Sequence, residues 1–141
     1  MKNKLNCILL VDDDEPTNFL NQIVIEELNI TEQIRVAQNG QEALAYLKQT
    51  GSGDEDFPLP DLILLDINMP AMNGWEFLER YSHLPAHQKA NVVIVMLTTS
   101  LNPDDRAKAH EISEVTGFET KPLTVDKLQA LLEKYFPEVL A

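Results

Sequence analysis

The chain contains 141 residues with a mass of 15.9 kDa, which is the size of one domain with its own hydrophobic core. Its 11 Lys and Arg against 23 Asp and Glu give a formal charge of −12, which argues against direct binding to nucleic acid or to an anionic membrane. The single cysteine, Cys7, has no disulfide partner in the chain, and the sequence shows no signal sequence or membrane-length apolar run, so we expect a soluble cytoplasmic protein.

Short apolar runs alternate with longer segments of helical period, and this pattern predicts strand and helix units around a parallel sheet covered on both faces. The first strand spans residues 7–11, and a run of acids follows it directly. A helix is predicted from Pro16, with apolar residues recurring at intervals of three and four. These apolar residues are Phe19, Leu20, Ile23, Val24 and Leu28.

The rest of the chain continues the alternation. The other predicted strands are 34–37, 62–65, 92–97 and 117–120, and the other predicted helices begin after Asn39, after Asn73, at Pro103 and at Val125. The helix from Pro103 is expected to reach about Val115, and the last helix Phe136. Residues 50–60 are rich in Gly, Pro and acids and predict an exposed loop, not a linker. We therefore expect residues 1–141 to form a single domain with no attached output domain.

Carboxylates, a hydroxyl and an amine follow the predicted strands at the points where the strands end. They are Asp12 and Asp13 after the first strand, Asp66 after the third, Thr98 at the fourth and Lys121 after the fifth. The carboxyl ends of parallel strands meet at one edge of a sheet, with neighbouring strands about 4.8 Å apart. The sequence therefore predicts a functional site at this edge.

Three crowded carboxylates repel one another, so such a cluster either raises the pKa of a member or recruits a hard cation such as Mg²⁺. In the absence of Mg²⁺, Asp66→Asn or Asp13→Asn is then expected to raise thermal stability. Lys121 can offset the charge, and the Thr98 hydroxyl can donate to an oxyanion. An oxygen nucleophile beside such groups suits phosphoryl transfer.

Four sequence strings carry a resemblance to a known family. They are ILLVDDDE at 8–15, LILLDINMPAMNGWEFL at 62–78, VMLTTS at 95–100 and GFETKPL at 117–123. In this order and spacing they resemble the receiver domain of two-component response regulators, over nearly the whole chain. The resemblance implies a doubly wound, flavodoxin-like α/β fold with a five-stranded parallel sheet in the order 2-1-3-4-5.

The same resemblance implies a role for each residue of the predicted site. Asp66 resembles the aspartate that accepts a phosphoryl group from a phosphohistidine on a sensor histidine kinase or a phosphotransfer protein. Asp12 and Asp13 resemble the acids that hold Mg²⁺, together with Asp66 and the main-chain carbonyl of Asn68. The implied function is a stand-alone response regulator that switches partner binding in a phosphorelay and turns over no substrate of its own.

A threonine, a lysine and an aromatic residue resemble the switch of that family. Thr98 resembles the hydroxyl that moves onto the phosphoryl group, and Lys121 resembles the lysine that pairs with that group. Phe118 resembles the aromatic residue whose rotamer changes with the movement of the threonine. The resemblance also implies a cis bond before Pro122. A downstream protein is expected to bind the face formed by helix 4, strand 5 and helix 5. As a departure, Thr99 stands where a smaller residue is common and could narrow access to Asp66.

Other interpretations stay open at the level of sequence. Asp14 and Glu15 fit a helix start better than metal ligands, and Pro85 between His83 and His87 argues against a zinc pair on one helix. The chain could be an interaction module that works without phosphorylation. It could also be an Mg²⁺-dependent phosphohydrolase of the haloacid dehalogenase kind, although Asn68 stands where those enzymes carry a second acid.

Overall fold

The computed structural model describes residues 4–50, 56–89, 92–99 and 102–140. Within these ranges five strands form one parallel sheet in the order β2-β1-β3-β4-β5. The strands are β1 (Leu5–Val11), β2 (Thr31–Ala37), β3 (Leu62–Leu65), β4 (Val93–Thr98) and β5 (Gly117–Thr120). This architecture confirms the predicted doubly wound, flavodoxin-like α/β fold.

Helices cover both faces of the sheet. They are α1 (Glu15–Leu28), α2 (Gly40–Gln49), α3 (Gly74–Ser82), α4 (Pro103–Glu111), α5 (Val125–Tyr135) and the short α6 (Pro137–Leu140). Polar side chains cap their starts: Asn39 accepts from the third residue of α2, and Asn73 forms a capping box with Glu76 at α3. No helix in the described part of the chain is long and apolar enough to cross a membrane.

The sheet separates two hydrophobic clusters because successive strand residues point to opposite faces. Leu9 and Val11 of β1 lie in the cluster with α2, α3 and α4, whereas Ile8 and Leu10 lie in the cluster with α1 and α5. Both faces of the central strands are therefore buried, which explains why residues 7–11 of β1 and the whole of β3 are continuous apolar runs.

The apolar stripe predicted for the first helix does not lie wholly against the sheet. Phe19 and Leu20 are 64% and 60% exposed, and Ile23 is 46% exposed. The helix instead buries Asn18 and Asn21, together with Ile25. A buried hydrogen bond explains this orientation of α1. The Asn18 side-chain amide donates to the main-chain carbonyl of Asp12 at 2.8 Å, which holds that side of the helix against the sheet.

Other boundaries also differ from the sequence prediction. Helix α4 ends at Glu111 and not near Val115, because Ile112 is already extended and the chain turns there to bring Thr116 onto the Ile94 carbonyl, at 2.8 Å. Strands β1 and β2 begin earlier than predicted, and α6 was not predicted. None of these differences moves a strand end that carries a polar residue of the predicted site.

Candidate functional site

The parallel register places the predicted site residues at one edge of the sheet. Val11 is paired with Leu65, so the residues that follow them, Asp12 and Asp66, leave adjacent strands side by side. The Asp66 amide donates to the Val11 carbonyl at 2.9 Å, which continues the ladder to the aspartate itself. Carboxylate oxygens of Asp12, Asp13 and Asp66 consequently lie within 4.8 Å of one another.

The three carboxylates differ in exposure. Asp12 is 4% and Asp66 is 7% exposed, whereas the side chain of Asp13 faces solvent. An ion held by this cluster would therefore contact two buried oxygens on the protein side and an accessible carboxylate on the solvent side. An all-oxygen, partly hydrated site of this kind fits Mg²⁺, which keeps several waters and binds through a few carboxylates. The donor set thus fits the predicted cation.

Lys121 lies between the two buried carboxylates. Its Nζ is 2.6 Å from Asp12 Oδ2 and 3.3 Å from Asp66 Oδ1. The strand pairing explains this position, since Thr98 pairs with Thr120 and the Lys121 amide donates to the Thr98 carbonyl at 2.7 Å. Burial by itself would lower the pKa of Lys121, but the hydrogen bond to Asp12 and the charge of Asp66 outweigh it and raise the pKa.

The proposed nucleophile is an electrostatically crowded group. Burial raises the pKa of Asp66 and the neighbouring Asp12 carboxylate raises it further, while Lys121 and the Ile67 amide act in the opposite direction. The site therefore holds more negative charge than one lysine neutralises. It favours a ligand that brings positive charge to Asp66.

Asn18 supports the loop that carries Asp12 and Asp13, a role that the sequence did not predict. Its side chain is 3% exposed and donates to the Asp12 carbonyl, while Asp12 Oδ1 accepts from the Asp14 amide at 3.0 Å. These bonds hold the turn that carries two of the three carboxylates. The available signal was a polar residue amid an apolar helical pattern, which by itself does not show which way the residue faces.

The segment from Asp66 to α3 is held close to the site. The Gly74 amide donates to the Ile67 carbonyl at 2.7 Å, and the Met72 amide donates to the Pro70 carbonyl, also at 2.7 Å. The side chain of Asn68 is exposed within this loop, two residues after Asp66. A metal-binding role for its main-chain carbonyl stays a prediction.

The three predicted switch residues lie on β4, β5 and the loop after β5. Thr98 is completely buried, and Phe118 is half-buried. The Arg106 guanidinium of α4 lies 5.0 Å from the centre of the Phe118 ring, a contact the sequence did not predict. The Lys121-Pro122 bond is cis, as the resemblance implied. Thr99 is exposed, and Ser100 lies outside the described residues.

The remaining candidates have structural roles. Asp14 caps α1 by accepting from the Thr17 amide at 3.1 Å, in agreement with the helix-start interpretation. His83 caps the C-terminus of α3, and His87 lies in a separate 3-10 turn, 86–88. Across the described ranges, the acidic triad is the one group of three or more His, Cys, Asp or Glu side chains placed to hold a metal.

We expect Asp66→Asn to raise the free energy of unfolding at neutral pH in chelator by about 1 kcal/mol, or about 3 °C in Tm. The pKa of Asp66 is higher in the folded chain than its ordinary value of 3.8, so its ionisation costs stability as the pH rises through the folded pKa. The gain should therefore be complete once the pH exceeds the folded pKa of Asp66 and vanish below 3.8, which thermal unfolding followed by circular dichroism can measure. Asp13→Asn, at an exposed position, should give a smaller gain. A lower Tm for Asp66→Asn in chelator would contradict the crowding.

Comparison with known proteins identifies the family. The family model described as "Response regulator receiver domain" matches residues 8–133. Response regulator Rcp1 of Synechocystis sp. is 36% identical over 110 residues, which cover 78% of this chain and 73% of that protein. The family-model match begins within β1 and ends within α5, so it includes every residue of the candidate site.

Solved structures show the same similarity in three dimensions. A two-component response regulator from Cytophaga hutchinsonii has a TM-score of 0.84 at 33% identity, and the match covers 96% of this chain and 99% of that one. The Mn²⁺-bound form of Rcp1 has a TM-score of 0.70 at 32% identity over 92% and 90% of the two chains. A phosphorylated cyanobacterial phytochrome response regulator, RcpA, has a TM-score of 0.73 at 29% identity over 92% and 93%.

Proposed function

The chain belongs to the response regulator receiver family of two-component systems, and we propose that it accepts a phosphoryl group on Asp66 from a phosphohistidine. The donor is a sensor histidine kinase or a histidine phosphotransfer protein. The observation that carries this proposal is the placement of Lys121 Nζ between the buried carboxylates of Asp12 and Asp66, at 2.6 Å and 3.3 Å, with Asp13 open to solvent beside them.

The proposed reaction is one phosphoryl transfer. A carboxylate oxygen of Asp66 attacks phosphorus, an O–P bond forms, the N–P bond of the phosphohistidine breaks, and the electron pair returns to the imidazole nitrogen. Lys121 is already within hydrogen-bond distance of the Asp66 carboxylate, so it can neutralise part of the charge that arrives with the phosphoryl oxygens. No other substrate is consumed.

Asp12, Asp13, Asp66 and the Asn68 carbonyl are the groups we propose to hold Mg²⁺. When bound, this ion would neutralise negative charge on the phosphoryl oxygens and would orient them for in-line transfer. The fully buried Asp12 main chain, fixed by Asn18, keeps its carboxylate aimed at the cluster before any ligand arrives. Such preorganisation lowers the cost of binding the ion and the phosphoryl group.

The proposed output is a change of the face formed by α4, β5 and α5. The phosphoryl group draws the Thr98 hydroxyl to its oxygens, and Phe118 repacks into the space that this movement changes. Arg106 connects that ring to α4, so the repacking alters the α4 surface. The proposal treats residues 1–141 as one receiver domain whose output goes to a separate partner protein.

The exposed face of α1 supports a protein donor. Phe19, Leu20 and Ile23 lie on the helix that begins two residues after Asp13, and all three are exposed. A clustered set of large apolar side chains on a surface is typical of a protein contact. A donor that delivers a phosphoryl group to Asp66 approaches the edge of the sheet at which α1 begins, and α1 gives it an apolar surface to bind.

The decisive experiment is intact mass spectrometry after incubation with acetyl phosphate, with Mg²⁺ or with chelator. We expect one phosphoryl mass to be gained only with Mg²⁺, and to be lost in Asp66→Asn. Asp126→Asn, an exposed aspartate at the start of α5, is the matched control and should behave as wild type.

Two other outcomes would replace the proposal. Absence of any mass gain would favour an interaction module that works without phosphorylation. Steady hydrolysis of a small phosphoester that disappears in Asp66→Asn would favour the phosphohydrolase. Equal mass gain in wild type and Asp66→Asn would move the acceptor to another residue.

A further inference from the structure

A groove of about 590 Å³ lies between α2 and α3, on the face of the sheet opposite α1 and α5. Its floor is apolar, with Leu44, Met72 and Leu84 packed into the core cluster of that face. Its rim carries the side chains of Lys48, Arg80 and His83. The proposed phosphorylation site uses none of these six residues.

The groove reverses the charge of the rest of the protein. The chain carries a formal charge of −12, yet residues 80–89 contain the cations Arg80 and Lys89 and no Asp or Glu. Lys48 joins this segment in space, because the Gln88 side-chain amide donates to the Lys48 carbonyl at 3.0 Å. A local excess of cations therefore surrounds an apolar floor on a strongly acidic molecule.

The helix ends stabilise Lys48 and Arg80 without neutralising their charge, so both cations can interact with a ligand. Lys48 and Arg80 stand in the last turns of α2 and α3, where a cation interacts favourably with the helix dipole. Both side chains are exposed, and neither forms an ion pair with any carboxylate in the described ranges. Lys89 differs, since its Nζ donates to the Ser82 carbonyl at 2.7 Å and so stabilises the end of α3.

We propose that the α2–α3 groove binds an acidic, amphipathic segment of a partner protein. Apolar side chains of that segment contact Leu44, Met72 and Leu84. Its carboxylates pair with Lys48 and Arg80. Two helices that flank an apolar floor form the kind of surface that accepts an amphipathic helix. At physiological ionic strength the Debye length is about 8 Å, so the rim cations act on a bound segment while distant acids are largely screened.

Packing within the core already forms the floor of the groove. Met72 packs on the first residue of α2 so closely that a Cβ on Gly40 would lie 2.8 Å from its Sδ. Met72 and Leu84 are 6% and 9% exposed, so their positions are set by packing and not by a ligand. Binding there requires no rearrangement, and the proposal does not depend on phosphorylation of Asp66.

The test measures binding of a fluorescein-labelled peptide of about 15 residues by fluorescence anisotropy at an ionic strength of about 0.15 M. The peptide has leucines at helical spacing with glutamates between them. Two control peptides replace either every glutamate with lysine or every leucine with glycine. The unphosphorylated full-length chain is used throughout, with Lys48→Glu/Arg80→Glu as the variant.

The control protein is Lys4→Glu/Lys134→Glu, which makes the same change in net charge just before β1 and within α5, at residues that do not line the groove. We expect the acidic peptide to bind wild type and the control equally, the groove variant at least tenfold more weakly, and neither control peptide to bind. Circular dichroism of the two proteins verifies that both are folded.

The binding site is mapped by amide chemical shifts in the complex, which we expect to change along α2, α3 and residues 83–88. Three results would overturn the proposal: no binding of the acidic peptide, an equal loss of affinity in both charge-reversal proteins, or shifts confined to another face. Any of these can occur whether or not Asp66 accepts phosphate, so the outcome is independent of the proposed function.

Discussion

Lys121→Met is expected to lower the free energy of unfolding by about 3 to 5 kcal/mol at neutral pH in chelator, with a fall in Tm of about 10 °C. Lys121 is the cation that contacts both buried carboxylates, at 2.6 Å from Asp12 and 3.3 Å from Asp66. Its removal leaves two buried negative charges facing each other without compensation. Urea unfolding followed by circular dichroism measures the loss.

The pH dependence of the free energy of unfolding provides a second test of this prediction. The pKa of Lys121 is raised in the folded chain, so its contribution is complete below its ordinary value of 10.5 and is lost only as the pH rises through the folded pKa. In the variant, acidification should restore stability, because protonation of Asp66, whose pKa is already raised, removes one of the two opposing charges. The pair Lys121→Met/Asp66→Asn should recover part of the loss for the same reason.

Lys134→Met is the matched control for this prediction. Lys134 is exposed on α5, where its ammonium lies 5.3 Å from the Tyr135 ring and contacts no buried charge. A change of less than about 1 kcal/mol is expected there. If Lys121→Met unfolded at the same urea concentration as wild type, the carboxylates would be hydrated, and the cluster would not depend on the lysine.

The site was predictable because it depends on a property of parallel sheets that sequence reveals directly. The strands β1, β3 and β4 were recognisable as apolar runs, and β5 as a short segment between two helical patterns. The polar residues at the ends of these strands had to reach the same edge of the sheet. Asp12, Asp66 and Lys121 therefore met in space although more than 50 residues separate consecutive members in the chain. Errors of one to three residues at the start of a strand did not matter, since only the ends carry the site.

Features set by contacts between helices and loops were not predictable in this way. Asn18 faces inward because the buried main-chain carbonyl of Asp12 needs a hydrogen-bond donor. The spacing of apolar residues along the helix carries no information about such a polar contact. The basic rim of the α2–α3 groove combines Lys48 with the segment that begins at Arg80, and their proximity follows from how α2 and α3 pack. Arg106 meets Phe118 for the same reason, through the position of α4 beside β5.

Two glycines in equivalent positions give a second sharp prediction, because each follows an asparagine cap and begins a helix. Gly74→Ala is expected to destabilise the fold by about 1 to 3 kcal/mol and to slow phosphorylation by acetyl phosphate. A Cβ on Gly74 would lie 2.5 Å from the main-chain oxygen of Asp66 and 3.0 Å from the Cα of Ile67. Backbone at the proposed phosphoryl acceptor must then move.

Gly40→Ala is the matched control, since its Cβ would meet the Sδ and Cγ of Met72, at 2.8 Å and 2.9 Å. The end of a methionine side chain adjusts more readily than a backbone segment does, so the net loss should stay below about 1 kcal/mol. Urea unfolding and the rate of mass gain, measured on both variants, separate the two cases. Equal stability and equal rates in Gly40→Ala and Gly74→Ala would show that the segment after Asp66 adjusts freely, and that the close approach of α3 does not hold the acceptor in place.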